Sequence, residues 1–258
     1  MIQKTVSFQN DEGQSLSGVL RIPNDEGKYA CLIICHGFLE NKDRDLIVDL
    51  ANSLSYEEFI TLRFDFLFHG ESHGSLDETT LSQQVDDIKD ALAFLETIPQ
   101  ADMDRIGLIG HDLGGNACLL LEDPRVKAIA TIGVRAHLDK FFQSYLSDYE
   151  MKEWLKRGVV DTAGIRLKDT FYYDMKKHDM LEAVQRKSIP LLFFHGTADM
   201  RHPFEDARAL YKHAQQPTLE IIEEADHTFR FPDHRRYLIE SIRNFFIRIF
   251  MRKRFERG

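Results

Sequence analysis

Three residues far apart in the chain have the types that hydrolytic chemistry needs. Asp112 lies in Gly110-His111-Asp112-Leu113-Gly114-Gly115, directly after the apolar segment Arg105–Ile109 and at the start of a short helical pattern. In such a strand–turn–helix, flanking glycines allow a tight turn that lifts the middle side chain above a sheet. Asp199 closes His195-Gly196-Thr197-Ala198-Asp199, and His227 sits in Ala225-Asp226-His227-Thr228-Phe229. Nucleophile, acid and histidine, in that order and each at a strand's carboxyl end, form a set in which the acid orients an imidazole base. An earlier strand ends in His36-Gly37-Phe38. The backbone N–H groups of Phe38 and Leu113 would then face one point and form an oxyanion hole.

The segments that must position these groups follow a simple rhythm. Ile2–Gln9 and Ser15–Ile22 alternate in polarity around Asn10-Asp11-Glu12-Gly13 and predict an antiparallel hairpin. Thereafter apolar runs at Ala30–Cys35, Phe59–Phe64, Ile106–Ile109, Ala128–Ile132, Leu191–Phe194 and Leu219–Ile222 are separated by helix-length patterns: Asp43–Ser53, Gln83–Thr97, a short one from Leu113, Phe204–His213, and a last one from about Arg235. Runs apolar on both faces are what parallel strands between helical layers require, so the expected fold class is α/β, a mostly parallel doubly wound sheet. About 55 residues after Gly133 break the rhythm and hold Phe141, Phe142, Tyr145, Tyr149, Trp154, Phe171, Tyr172 and Tyr173. A structureless loop of that length is improbable, which predicts a small cap insertion at about 135–188 within one domain spanning 1–258. Tyr145, Tyr149, Trp154, Tyr172, Tyr173 and Phe38 are the candidate substrate-binding side chains.

Composition narrows the partners. The chain has 258 residues and a net charge of −9, so its field repels phosphate backbones and anionic membranes. Nucleic acid and stable membrane association are not expected. The longest apolar run, Ala30–Cys35, is far below the ~20 residues that span a bilayer, and no leader-like segment opens the chain. A cytoplasmic protein acting on a small molecule is expected, and a homodimer is compatible with it. Cys31, Cys35 and Cys118 read as core residues. The final helix, with Leu238, Ile242, Phe246 and Phe250, should pack on the sheet, and the tail cations Arg252, Lys253, Arg254 and Arg257 suit its C-terminal dipole. No phosphate-cradling glycine loop is present, no cofactor is implied, and Asp65, His69 and His73 match no metal motif. His36, His111 and His195 read as packed, hydrogen-bonded side chains; His69 with Asp65 belongs to a turn bracing the oxyanion loop; His202 could reach the pocket rim.

Taken together, His36-Gly37-Phe38 with Asn41-Lys42-Asp43, Arg63-Phe64-Asp65 with His69-Gly70-Glu71-Ser72, the elbow, His195–Asp199 and Ala225–Phe229 resemble the α/β-hydrolase superfamily over essentially the whole chain. The likeness is greatest to small carboxylic-ester hydrolases of the cinnamoyl (feruloyl) esterase and monoacylglycerol-lipase-like type. It implies the α/β-hydrolase fold, Asp199 as acid, His227 as base, Phe38 and Leu113 as oxyanion donors, and small apolar or aromatic substrates.

Those esterases carry serine where this chain has Asp112. A carboxylate attacking an ester carbonyl gives an intermediate that expels the carboxylate, whose acid has a pKa of ~4, in preference to a far more basic alkoxide. Superfamily branches with aspartate here, the haloalkane dehalogenases and epoxide hydrolases, imply displacement at saturated carbon and an alkyl–Asp112 ester hydrolysed by water that His227 activates. A dehalogenase's tryptophan after the nucleophile is replaced by Leu113; an epoxide hydrolase's tyrosines have counterparts in the insertion, but Leu39 stands where its proline follows His-Gly-x. Direct water attack on an ester with Asp112 or His227 as base, and a catalytically inactive binding protein or serine-to-aspartate variant, complete the alternatives.

Overall fold

The computed structural model describes residues 1–24, 26–162 and 165–251. β1 (Ile2–Gln9) and β2 (Ser15–Ile22) pair antiparallel with Ile2 opposite Ile22 and Phe8 opposite Leu16. The Asn10 side-chain carbonyl accepts the Glu12 and Gln14 amides, and Gly13 takes the left-handed φ of 77° that closes this turn.

The chain then alternates through β3 (Tyr29–Cys35), α1 (Asp45–Tyr56), β4 (Ile60–Phe64), α2 (Leu81–Glu96), β5 (Ala101–His111), α3 (Asp112–Leu120) and β6 (Val126–Ile132). The insertion follows: a 3-10 turn at Leu138–Ser144, α4 (Asp148–Arg157), a hairpin of β7 (Val159–Thr162) and β8 (Ile165–Lys168), α5 (Thr170–Met175) and α6 (Met180–Arg186). β9 (Leu191–Gly196), α7 (Phe204–His213), β10 (Pro217–Ile222) and α8 (Pro232–Phe250) complete it. The eight-stranded sheet has the order β1-β2-β4-β3-β5-β6-β9-β10, parallel from β4 to β10 and antiparallel at the β1-β2 and β2-β4 junctions.

Every residue of β3 is buried, because helices cover both faces. Ala30, Leu32 and Ile34 join the layer of α1 and α8, through Leu50, Leu54, Leu238 and Phe246. Cys31, Ile33 and Cys35 point the other way, into the layer of α2, α3, α6 and α7. The period of two divides one apolar run between two cores. All three cysteines are free and buried, the core role expected of them.

Differences from the sequence expectation have local causes. α8 begins at Pro232, three residues ahead of Arg235, since proline's fixed φ and missing N–H suit a helix's first turn. β5 starts at Ala101 because Tyr29 and Ala30 pair with Ala101 and Asp102 before a bulge restores register at Ile106. The β7–β8 hairpin was not foreseen within the insertion, and α6 packs against α3 and α7 in the helical layer, so the cap proper ends with α5. The cationic tail from Arg252 lies outside the described residues. Among the described residues no helix is long and apolar enough to cross a membrane.

Candidate active site

The turn from β5 into α3 is close-packed. Cβ atoms at Gly110 would overlap the Gly115 backbone, and at Gly114 the His36 carbonyl, so only glycine lets α3 press against the β3 end. Asp112 occupies the turn with a φ of 52°, a left-handed conformation that costs a non-glycine residue about 1–3 kcal/mol. The carboxylate is thereby aimed at the loop that follows β3.

Two groups hold it there. The Phe38 N–H donates to Asp112 Oδ2 at 2.9 Å, and His202 Nε2 donates to Oδ1 at 2.6 Å. His227 Nε2 stands 4.0 Å from Oδ2, too far for a hydrogen bond, and this buried nitrogen has no partner among the described residues. His227 Nδ1 donates to Asp199 Oδ2 at 2.7 Å, which leaves the Nε2 lone pair facing Asp112. Asp199 Oδ1 accepts the Arg201 and His202 amides at 2.8 and 2.9 Å. Leu113 lies in the first turn of α3, whose amides have no intrahelical acceptor.

A charged pair sits behind Asp112 and His227. His111 Nδ1 faces Glu40 Oε2 at 2.9 Å and Nε2 faces the His227 carbonyl at 3.0 Å, so both ring nitrogens donate and the ring is an imidazolium. Burial opposes that charge, but the Glu40 carboxylate and the nearby Asp112 hold His111 up at about 9. Burial and the His111 charge keep His227 below its ordinary value despite the Asp199 bond. Burial also works against an ionised Asp112, yet His202 first, and then the His111 imidazolium, hold it below the usual carboxylate range. Asp199 is likewise lowered: the bonds from His195 and His227 outweigh its burial. The site therefore presents an ionised carboxylate opposite a neutral imidazole.

The loops are braced from below. The Asp65 carboxylate accepts the Lys42 and Glu71 amides at 2.6 and 2.9 Å and pairs with Lys42 Nζ at 2.9 Å. These contacts occupy Asp65 as a brace for the loop after Phe38. His36 Nδ1 donates to the Gly37 carbonyl and Nε2 accepts the Phe66 amide, fixing a neutral ring.

Phe38, Phe141, Phe142 and Phe171 are buried together over the site, with the Phe38 ring 5.5 Å from Phe141 and 5.1 Å from Tyr145. Tyr145 is the candidate cap tyrosine that reaches the centre: its buried hydroxyl has no partner among the described residues, and burial and the Asp112 charge both push its pKa up. The other insertion candidates stand farther out. Trp154 packs behind Phe142 at 4.7 Å, Tyr172 lies on Trp154 at 6.2 Å, and Tyr149 and Tyr173 are 71% and 50% exposed. Five residues on a 3.6-residue period turn Tyr149 and Trp154 to different faces of α4, and only the latter faces inward. His202 is not at a rim: it is fully buried against Asp112, because the Asp199 carboxylate caps its amide and folds the loop back. Among the described residues, those that could hold a metal ion are Asp112, His202 and His227, whose ligand atoms lie within 4.8 Å of one another. No spacing motif announces that set.

The sequence pattern of the prolyl oligopeptidase family matches residues 70–253. An uncharacterized 31.7 kDa protein of Escherichia coli is 25% identical over 86% of this chain and 90% of its own length. Esterase FrsA of Photorhabdus laumondii is 27% identical over 80% of this chain and 51% of its own. Among solved structures, the ferulic acid complex of Est1E from Butyrivibrio proteoclasticus superposes with a TM-score of 0.85 at 23% identity, covering 94% of this chain and 98% of that one. The eight-stranded order and the elbow are those of the α/β-hydrolase fold. With 184 of its 258 residues (70–253) inside that sequence pattern, the chain belongs to the prolyl oligopeptidase family and is a hydrolase of esterase lineage.

Proposed function

We propose that this hydrolase acts on small apolar or aromatic substrates through Asp112 as a carboxylate nucleophile, with His227 as base and Asp199 as its orienting acid. The observation that carries the reading is the 2.9 Å bond from the Phe38 amide to Asp112 Oδ2. A carboxylate oxygen already fills the position an ester carbonyl would need, which favours attack on saturated carbon. Oδ1 leaves His202 and displaces the leaving oxygen of a strained electrophile such as an epoxide; the C–O bond of the substrate breaks as the Asp112–carbon bond forms. Tyr145, whose hydroxyl has no partner among the described residues, is the donor that protonates the departing alkoxide. Water deprotonated by His227 Nε2 then attacks the Asp112 carbonyl carbon. Charge develops on Oδ2 where the Phe38 and Leu113 amides receive it; collapse breaks the ester C–O bond, His227 passes its proton to the departing alkoxide, and the regenerated Asp112 carboxylic acid returns a proton to the Tyr145 phenolate. The aromatic cover over the centre must part for the substrate, and its composition suits phenyl or short alkyl groups.

Carboxylic esters remain a second reading, favoured by the esterases among the relatives. Water activated by Asp112 or His227 would attack a carbonyl in the oxyanion hole, after Asp112 swings off the Phe38 amide. Turnover of styrene oxide and p-nitrophenyl acetate by the parent protein and by Asp112→Asn separates the two. Epoxide opening lost in Asp112→Asn supports the alkyl-enzyme route; ester hydrolysis that survives in it, with no epoxide opening by the parent, removes that route.

A further inference from the structure

Beyond this chemistry, we propose that Asp112, His202 and His227 form a binding site for one divalent transition-metal ion of the zinc type, and that the bound ion silences the Asp112 route. The three side chains come from the elbow, the loop after β9 and the loop after β10, and all are buried. The ligand atoms are an oxygen and two imidazole nitrogens, a donor set that suits zinc and its neighbours rather than magnesium or calcium.

Their spacing is close to what an ion requires. Zinc–nitrogen and zinc–oxygen bonds of roughly 2.0–2.2 Å at tetrahedral angles put ligand atoms about 3.3–3.5 Å apart. Here His202 Nε2 is 2.6 Å from Asp112 Oδ1, and His227 Nε2 is 4.0 Å from Oδ2. One ligand atom from each of the three residues lies within 4.8 Å of the others, so shifts of up to about 1.5 Å bring the set to that geometry. The proton now on His202 Nε2 leaves to solvent or to Nδ1, and the ion takes its place.

Two further features point to a cation. His227 Nε2 is a buried nitrogen without a hydrogen-bond partner among the described residues, and its lone pair is directed inward because Nδ1 donates to Asp199. A carboxylate on the far nitrogen is the common second partner of a metal-bound histidine. Charge also balances: the carboxylates of Asp112 and Asp199 offset a 2+ ion, while Glu40 and His111 neutralise each other. His202 is held at its backbone instead, its amide on Asp199 and its carbonyl accepting from His195 Nε2 at 2.9 Å.

Occupancy would engage both the attacking oxygen and the basic lone pair, so binding and hydrolysis exclude each other. The binding claim stands apart from the hydrolytic reading, since it is measured without substrate. The purified full chain is stripped with a chelator and titrated with ZnCl2 by calorimetry and with CoCl2 by visible absorption. The expected result is one ion per chain, a four-coordinate Co²⁺ spectrum, and a zinc-dependent rise in Tm. His202→Ala and His202→Gln should each weaken binding at least ~10-fold, judged against the cost of losing even an outer-shell partner, with folding checked by circular dichroism. The exposed His213→Ala should bind like the parent. Absence of stoichiometric binding by the parent, or unchanged affinity in both folded His202 variants, overturns the proposal.

Discussion

The Phe38 amide and Asp112 Oδ2 are hydrogen-bonded at 2.9 Å although 74 positions separate them in the chain. An oxygen of the proposed nucleophile thus sits where an oxyanion would be received. That geometry resists an incoming ester carbonyl and suits hydrolysis of an ester formed on Asp112 itself.

Asp112→Ser should therefore create an esterase. A hydroxyl is too short to hold the Phe38 amide, so the oxyanion donors become free, and His227 Nε2 is available as base. Hydrolysis of p-nitrophenyl acetate is expected to rise at least ~100-fold over the parent. A folded variant with no gain would show that His227 and Asp199 do not activate a hydroxyl at position 112.

His227→Gln should trap the intermediate. The first displacement needs no base, whereas hydrolysis of the alkyl–Asp112 ester does. Steady-state kcat should fall by ~10²–10⁴ while one equivalent of substrate adds to the peptide containing Asp112, seen by mass spectrometry. No adduct, with turnover reduced, would favour direct attack by water.

Tyr145→Phe removes a buried hydroxyl that has no partner among the described residues. Stability should change by no more than about 1 kcal/mol, since no hydrogen bond is lost. Epoxide opening should slow at least ~10-fold if this hydroxyl protonates the leaving oxygen. Equal rates in the two proteins would assign the proton to another donor.

Asp87 gives stability a pH dependence away from the centre. Burial raises its carboxyl to about 7 despite bonds from Gln83 and the Leu67 amide. An unfolded aspartate titrates near ~3.9, so between about pH 4 and 7 the native state binds more protons and this group's contribution to stability falls as pH rises. The upper limit is about 1.4 kcal/mol per pH unit. Urea midpoints for Asp87→Asn should fall less than the parent's across that window, because the variant lacks this group's titration. Parallel profiles would refute the assignment.

Much of the frame was legible because period and burial are linked in a single strand. Ala30–Cys35 reads as a strand covered on both faces, and each alternate residue does enter a different core. The elbow was legible through its glycines, which leave no room for Cβ atoms. The insertion was less so: its aromatic richness is plain, but which rings face Asp112 depends on helix phase, and Tyr149 and Tyr173 turn outward. His202 was hidden for a different reason. Its position depends on a loop folded back by the Asp199 carboxylate, an interaction three residues long that leaves no periodic trace.

In the proposed route Asp112 itself becomes esterified. Single turnover of styrene oxide with excess protein in ¹⁸O-water, followed by mass spectrometry of the peptide containing Asp112, tests it most directly. ¹⁸O is expected in the Asp112 carboxylate, because water attacks its carbonyl carbon. Label found in the diol alone, with an unlabelled Asp112, would contradict it.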